Sequence, residues 1–164
     1  MTEYRDRRRR GIGAAAAIAI TALLAAGCAR TPAEQVAGAT AATPGSPQDF
    51  VANVGDRVFF TVDSSTINSS AARVLDRQAE WLQRYPRYGI LLEGHADERG
   101  TREYNIALAA RRADAARNYL QSRGIPSSRI RTVSFGKERP VAVCDNESCW
   151  SQNRRAVTVL DAAS

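Results

Sequence analysis

The pattern of apolar residues predicts an α+β fold (an α/β sandwich): one mixed four-stranded sheet with helices packed on one face, in the order β-α-β-α-β-β. Three observations carry this. Four short runs are rich in β-branched and aromatic residues, as half-buried strands require. One longer stretch repeats apolar residues at spacings of three and four, the helical period, and a second is closed by Gly124 with Pro126 beyond it. All six fall within about 110 residues, the size of a single core.

The first strand is Arg57 to Val62, RVFFTV. Asn68-Ser69 then offers a helix N-cap before SAARVLDRQAEWLQRYP, in which Ala72, Leu75, Ala79 and Leu82 share one face until Pro86 ends the helix. Gly89 to His95 is the second strand. Thr101 to about Arg123 is the second long helix, closed by Gly124 with Pro126 beyond it. Arg131 to Phe135 is the third strand, and Arg155 to Leu160 the fourth. No internal repeat of solenoid length is present.

The 52 residues before this core read differently. Residues 1–27 have the layout of a secretory signal: Arg5 and Arg7 to Arg10 make a basic start, Gly11 to Ala26 is uncharged and mostly apolar, and Gly27 precedes Cys28. The apolar run is short for a membrane span, which leaves a signal-anchor helix as the alternative. Residues 28–52, rich in Ala, Thr, Pro, Gly and Ser, read as a flexible tether unable to bury a core. The folded domain is then 53–164.

Charge excludes one class of function. The formal net charge is +6, but residues 1–27 hold five arginines against Glu3 and Asp6, so the remainder carries +3. Its arginines are interleaved with acids and make no aromatic-basic stripe, so no nucleic-acid partner is expected. Of the three cysteines, Cys144 and Cys149 lie five apart in a polar loop, and an oxidising compartment makes a local disulfide the default reading. With His95 the one histidine, the cysteines make a poor zinc set, so neither metal nor cofactor is expected.

Glu93 to Arg112, EGHADERGTREYNIALAARR, holds the candidate site. A strand end delivers Asp97 into a loop, and the loop feeds a helix on which Asn105, Leu108 and Arg112 share one face at i, i+3 and i+7. A carboxylate ahead of a helix and a guanidinium two turns inside it can grip a zwitterion: Asp97 takes an ammonium and Arg112 a carboxylate, to which its planar fork is matched. The two could instead pair with one another as a structural bridge. His95 reads as a hydrogen-bonding residue that holds the Asp97 loop. Trp81, Tyr85, Tyr88, Tyr104, Tyr119 and Trp150 read as core or rim packing.

Four motifs, VFFTVDSSTI at Val58, the Glu93 to Ala113 run, VSFGKERP at Val133 and WSQNRRAV at Trp150, resemble the OmpA-like C-terminal domain family, and within it the peptidoglycan-associated lipoproteins. The resemblance covers Val58 to Leu160. It implies non-covalent binding of peptidoglycan through the diaminopimelate of its stem peptide. Asp97 would meet the ammonium and Arg112 the carboxylate, with Asn105 and Leu108 lining the helix face. Asp63, at the end of the first strand, would close the pocket. The family often reads Phe-Asp-Phe-Asp where this chain has Phe60-Thr61-Val62-Asp63. Arg154 and Arg155 match its paired arginines, with no direct ligand contact assigned.

Leu24 to Cys28, LAAGC, resembles the lipobox of bacterial lipoproteins, with Ala25 where leucine is usual. That implies cleavage before Cys28, a diacylglyceryl thioether on it and an acylated N-terminus, enough acyl chains for lasting anchorage. Ala29 after it resembles the signal for passage to the outer membrane. The family also implies TolB and the Tol complex as partners, with a role in envelope integrity and cell division. Two other classes compete: a periplasmic protein-docking scaffold, and a wall-acting hydrolase, for which the chain offers no nucleophile-base pair or open metal site.

Overall fold

The computed structural model describes residues 42–162. The signal segment, Cys28 and most of the tether lie outside the described residues. The order is a short helix α1 (Pro47–Asp49) running into a π-helical turn (Phe50–Val54), then β1 (Arg57–Phe59), α2 (Ser69–Arg84), β2 (Tyr88–Gly94), α3 (Arg102–Ser122), β3 (Ile130–Ser134), α4 (Glu147–Asn153) and β4 (Arg155–Ala162). Among the described residues no helix is long and apolar enough to cross a membrane.

Local chemistry sets the helix ends. The Asn68 carboxamide oxygen accepts from the Ala71 N–H at 2.8 Å, and the Thr101 hydroxyl from the Tyr104 N–H at 3.2 Å. Each such cap is worth about 1 kcal/mol. Gly124 ends α3 with φ of +90°, a conformation that costs glycine nothing.

The sheet order is β1-β4-β2-β3. β4 runs antiparallel to both neighbours, and β2 and β3 are parallel, joined by α3. β1 and β2 therefore flank β4, the last strand in the sequence. One sheet face carries Val58, Ile90, Leu92 and Ala156 into the core with Leu75, Leu82 and Leu120 of α2 and α3. Gln78, fully buried on α2, ties the layers: its amide donates to the Gly55 carbonyl, and its oxygen accepts from Thr158 of β4.

Gly94, at the end of β2, permits the closest approach between sheet and helix. A Cβ there would lie 1.9 Å from the Ala109 carbonyl oxygen of α3. Ala109, Ala113 and Ala116 are the facing residues, all fully buried. Small residues on both sides press α3 onto the sheet, so residues 105–112 stand directly beside the loop that leaves β2.

Three sequence expectations change. The stretch read as tether up to residue 52 is folded in part. Phe50 is 0% exposed and meets Trp81 edge-on, with ring centroids 4.9 Å apart. Asp49 accepts from the Trp81 indole N–H at 2.9 Å, and the Gly45 carbonyl from the Tyr88 hydroxyl at 2.9 Å. One large aromatic, worth about 2–3 kcal/mol when buried, docks a segment that composition alone reads as linker. Second, strand pairing of β1 stops at Phe59. Asp63 is therefore in the following turn, not at a strand end, and its φ of +52° is unusual for a residue with a side chain. Third, the cysteine loop contains α4, whose N-cap Asn146 accepts from the Ser148 N–H. Cys144 and Cys149 are disulfide-bonded across its first turn.

Candidate functional site

Five sequence-predicted residues come together. Asp63, Asp97, Asn105, Leu108 and Arg112 line one open cavity of about 280 Å³, with Val62, Arg99, Gly100 and Tyr104 completing the wall. The loop after β1 supplies one side, the 97–100 loop the second, and the first three turns of α3 the floor.

Arg112 is the deepest of them, 0% exposed. Its Nε donates to the Ser64 carbonyl at 2.8 Å, Nη1 to the His95 carbonyl at 2.9 Å, and Nη2 to the Thr61 carbonyl at 3.2 Å. One guanidinium thus pins the β1–α2 loop and the end of β2 around the cavity. Burial pushes its pKa down to about 10, as does the charge of Arg154, while Asp97 and Asp63 oppose the fall. Three of its five N–H groups are committed, which leaves two for another acceptor.

Asp97 is 7% exposed, and it does not pair with Arg112: among the described residues no salt bridge joins the two. Its Oδ1 accepts from the Arg99 backbone N–H and from Arg99 Nε, each at 3.2 Å. Its Oδ2 accepts from Arg99 Nη2 at 2.6 Å and Arg154 Nη1 at 3.3 Å. Burial pushes the Asp97 carboxyl up, but the hydrogen bonds from Arg99 and Arg154 outweigh it and hold the group below its ordinary value. It is therefore ionised at neutral pH.

The helix residues divide their work. Asn105 turns its amide donors to the Arg99 and Thr101 carbonyls, at 2.8 and 3.1 Å, and so fixes the loop. Leu108 supplies an apolar patch beside it. Tyr104 donates its hydroxyl to Asp63, which raises the tyrosine pKa. Lys137 clasps the loop from outside through the Glu98 and Gly100 carbonyls, at 3.0 and 2.7 Å.

His95 is corrected. It serves the loop through its backbone carbonyl, not its ring. The side chain is 2% exposed on the opposite sheet face, stacked on Phe135, and neither ring nitrogen has a hydrogen-bond partner. Its distance to the Glu93 carboxylate is 3.6 Å. Burial chiefly, then the charges of Arg155 and Arg139, lower its pKa to about 4.

Two residues escaped the sequence reading as partners of Asp97. Arg154 is 4% exposed and bridges Asp97 to Glu147 of α4, with Nη1 3.2 Å from Glu147 Oε2 and Nε donating to the Phe60 carbonyl. Arg99 lies at the mouth, its guanidinium 4.2 Å over the Trp150 ring, whose N–H donates to Glu98 at 3.0 Å. The sequence signals were the run of charges in Asp97-Glu98-Arg99 and the Arg154-Arg155 pair. Which arginine meets which carboxylate depends on loop geometry.

Comparison with known proteins gives a consistent result. The model of the OmpA family matches residues 59–155. The chain is 70% identical over 126 residues to the peptidoglycan-associated lipoprotein of Rhizobium meliloti (strain 1021), covering 77% of this chain and 72% of that one. It is 62% identical over 153 residues to the protein of that name from Mesorhizobium japonicum, covering 89% and 91% respectively. Among solved structures it resembles the peptidoglycan-associated lipoprotein from Burkholderia pseudomallei, with TM-score 0.67, 37% identity, and coverage of 71% of this chain and 100% of that one. The fold also matches the C-terminal domain of Helicobacter pylori MotB, with TM-score 0.61, 25% identity, and coverage of 65% and 84%.

Proposed function

Because the chain belongs to the OmpA family, and within it to the peptidoglycan-associated lipoproteins, we propose that it is a lipid-anchored protein of the outer membrane. Its periplasmic domain binds peptidoglycan without covalent attachment. It acts as a binding module, not as an enzyme.

The observation that carries the wall-binding half is the cavity between Asp97 and Arg112. The side chain of diaminopimelate ends in an amine and a carboxylate on one carbon. An anionic wall for the first and a cationic floor for the second suit that pair. A lysine-type stem offers the amine alone and would leave the Arg112 face without its partner, a loss of several kcal/mol if the contact is desolvated. Asp63, Asn105 and Leu108 complete the binding residues in this reading, and the dipole of α3 adds positive potential near its first turn.

The placement of the chain's entry supports tethering. Gly45 docks on Tyr88 at the start of β2, while the cavity lies beyond Gly94 at its other end, about 20 Å along the strand. The described part of the chain thus begins at the end of β2 away from the cavity. The family resemblance extends the reading to TolB and the Tol complex, and through them to envelope integrity and cell division.

The test uses the full-length protein, purified and mixed with sacculi of diaminopimelate type. It should sediment with them, and Asp97→Asn should remain in the supernatant while still melting as a folded protein, at a somewhat lower temperature for the lost arginine pairs. Undiminished sedimentation of that variant refutes the site. Mass spectrometry of the mature N-terminus tests the anchor, and cross-linking in intact cells tests the Tol partners.

A further inference from the structure

We propose that Arg99 occupies the seat of the ligand's ammonium on Asp97 and must be displaced for the wall peptide to bind, so that this residue sets the affinity. The proposal rests on the diaminopimelate reading of the cavity. An ionised carboxylate offers about four lone-pair positions. All four on Asp97 are taken: three by Arg99, through its backbone N–H, Nε and Nη2, and one by Arg154. An arriving ammonium therefore finds no free acceptor, and it meets a like charge besides.

Of the occupants, only the Arg99 side chain can leave. Arg154 is 4% exposed and held by Phe60 and Glu147. Arg99 has a side chain 40% exposed at the cavity mouth. It also has somewhere to go. Its guanidinium already rests on the Trp150 indole, and the Glu98 and Glu147 carboxylates are near enough to favour its charge. Sliding along the indole would exchange the Asp97 carboxylate for the attraction of two others, and the exposed Arg99 end lets water take up the bonds it gives up, which keeps the cost near about 1 kcal/mol. Binding is then a cation exchange on Asp97. The backbone N–H of Arg99 stays, so the loop keeps its shape while the side chain swings out.

This predicts the opposite of a contact residue. Removing Arg99 should tighten binding. The experiment is calorimetric titration of the full-length protein in detergent with the tripeptide L-Ala-γ-D-Glu-meso-diaminopimelate. Arg99→Ala should lower Kd about three- to fivefold, the range expected for losing a competing pair worth up to about 1 kcal/mol. Arg99→Lys keeps a competing cation but loses the two-pronged, stacked contact, so its Kd should fall between those of the parent and Arg99→Ala. The gain of Arg99→Ala should shrink as salt rises, because it removes a charge competitor. Asp97→Ala, run alongside, should abolish binding. Unchanged or weaker binding by Arg99→Ala, with Asp97→Ala inactive, overturns the displacement and leaves the site standing. Full binding by Asp97→Ala overturns both.

Discussion

Replacing Arg112 by alanine should damage the fold as well as the site. Its guanidinium is fully buried and satisfies three backbone carbonyls. The His95 carbonyl is buried, and stripped of its donor it costs about 1–3 kcal/mol. The Ser64 and Thr61 carbonyls lie near the cavity and regain water in part, at about 0.5–1 kcal/mol each. Loss of the side chain beside the Phe60 ring, 5.3 Å from the guanidinium carbon, adds a packing penalty. Relief from burying a cation works the other way. The net is about 3 kcal/mol, and at about 4 °C per kcal/mol for a folded part of this size, a fall in Tm near 12 °C. Scanning calorimetry of the purified protein at pH 7 reads it. Arg112→Met, with similar bulk and no donors, should fall about as far, and Arg112→Lys should recover only part, since one ammonium cannot span three carbonyls. A Tm within about 2 °C of the parent for Arg112→Ala would refute the reasoning. If the loss is as large as expected, failure of that variant to bind wall material says nothing about a carboxylate contact. Asp97 variants are the cleaner probe, because that side chain pairs with two arginines that keep other partners.

Acid should act in two steps. His95, with a folded pKa of about 4 against 6.5 unfolded, is buried neutral. Its contribution is complete above pH 6.5 and is lost as pH falls towards 4, by about 3 kcal/mol at most. Asp97, held low by its arginines, loses its contribution only below the ordinary carboxylate range. Urea titrations from pH 7.5 to 4.5 should show the first step in the parent and a flat line in His95→Phe; equal slopes would exclude the histidine. Gly94→Ala puts a methyl against the Ala109 carbonyl, so it should lower Tm by more than 10 °C, about 3 kcal/mol, through forced separation of α3 from the sheet; a Tm unchanged on melting would sink that packing account. Reducing Cys144–Cys149, which closes a short loop, should cost about 2 kcal/mol and lower Tm by about 8 °C; a melt insensitive to dithiothreitol would contradict it.

By itself the sequence determined whatever depends on near neighbours. The periods of three and four, the cap at Asn68, and the glycine after α3 act over one or two turns, so both long helices and all four strands were legible. So was the grouping of Asn105, Leu108 and Arg112, because helical geometry alone puts them on one face. The tertiary structure decided what depends on distant partners. Phe50 became core only because Trp81 stands 31 residues away to receive it. The ends of Arg112 found carbonyls at Thr61, Ser64 and His95. Asp97 was claimed by Arg99 and Arg154 instead of Arg112. The physical reason is the range of the forces. Backbone hydrogen bonding and side-chain spacing act within a segment. The pairing of several like charges with several carboxylates is nearly degenerate until packing fixes which ones share a cavity.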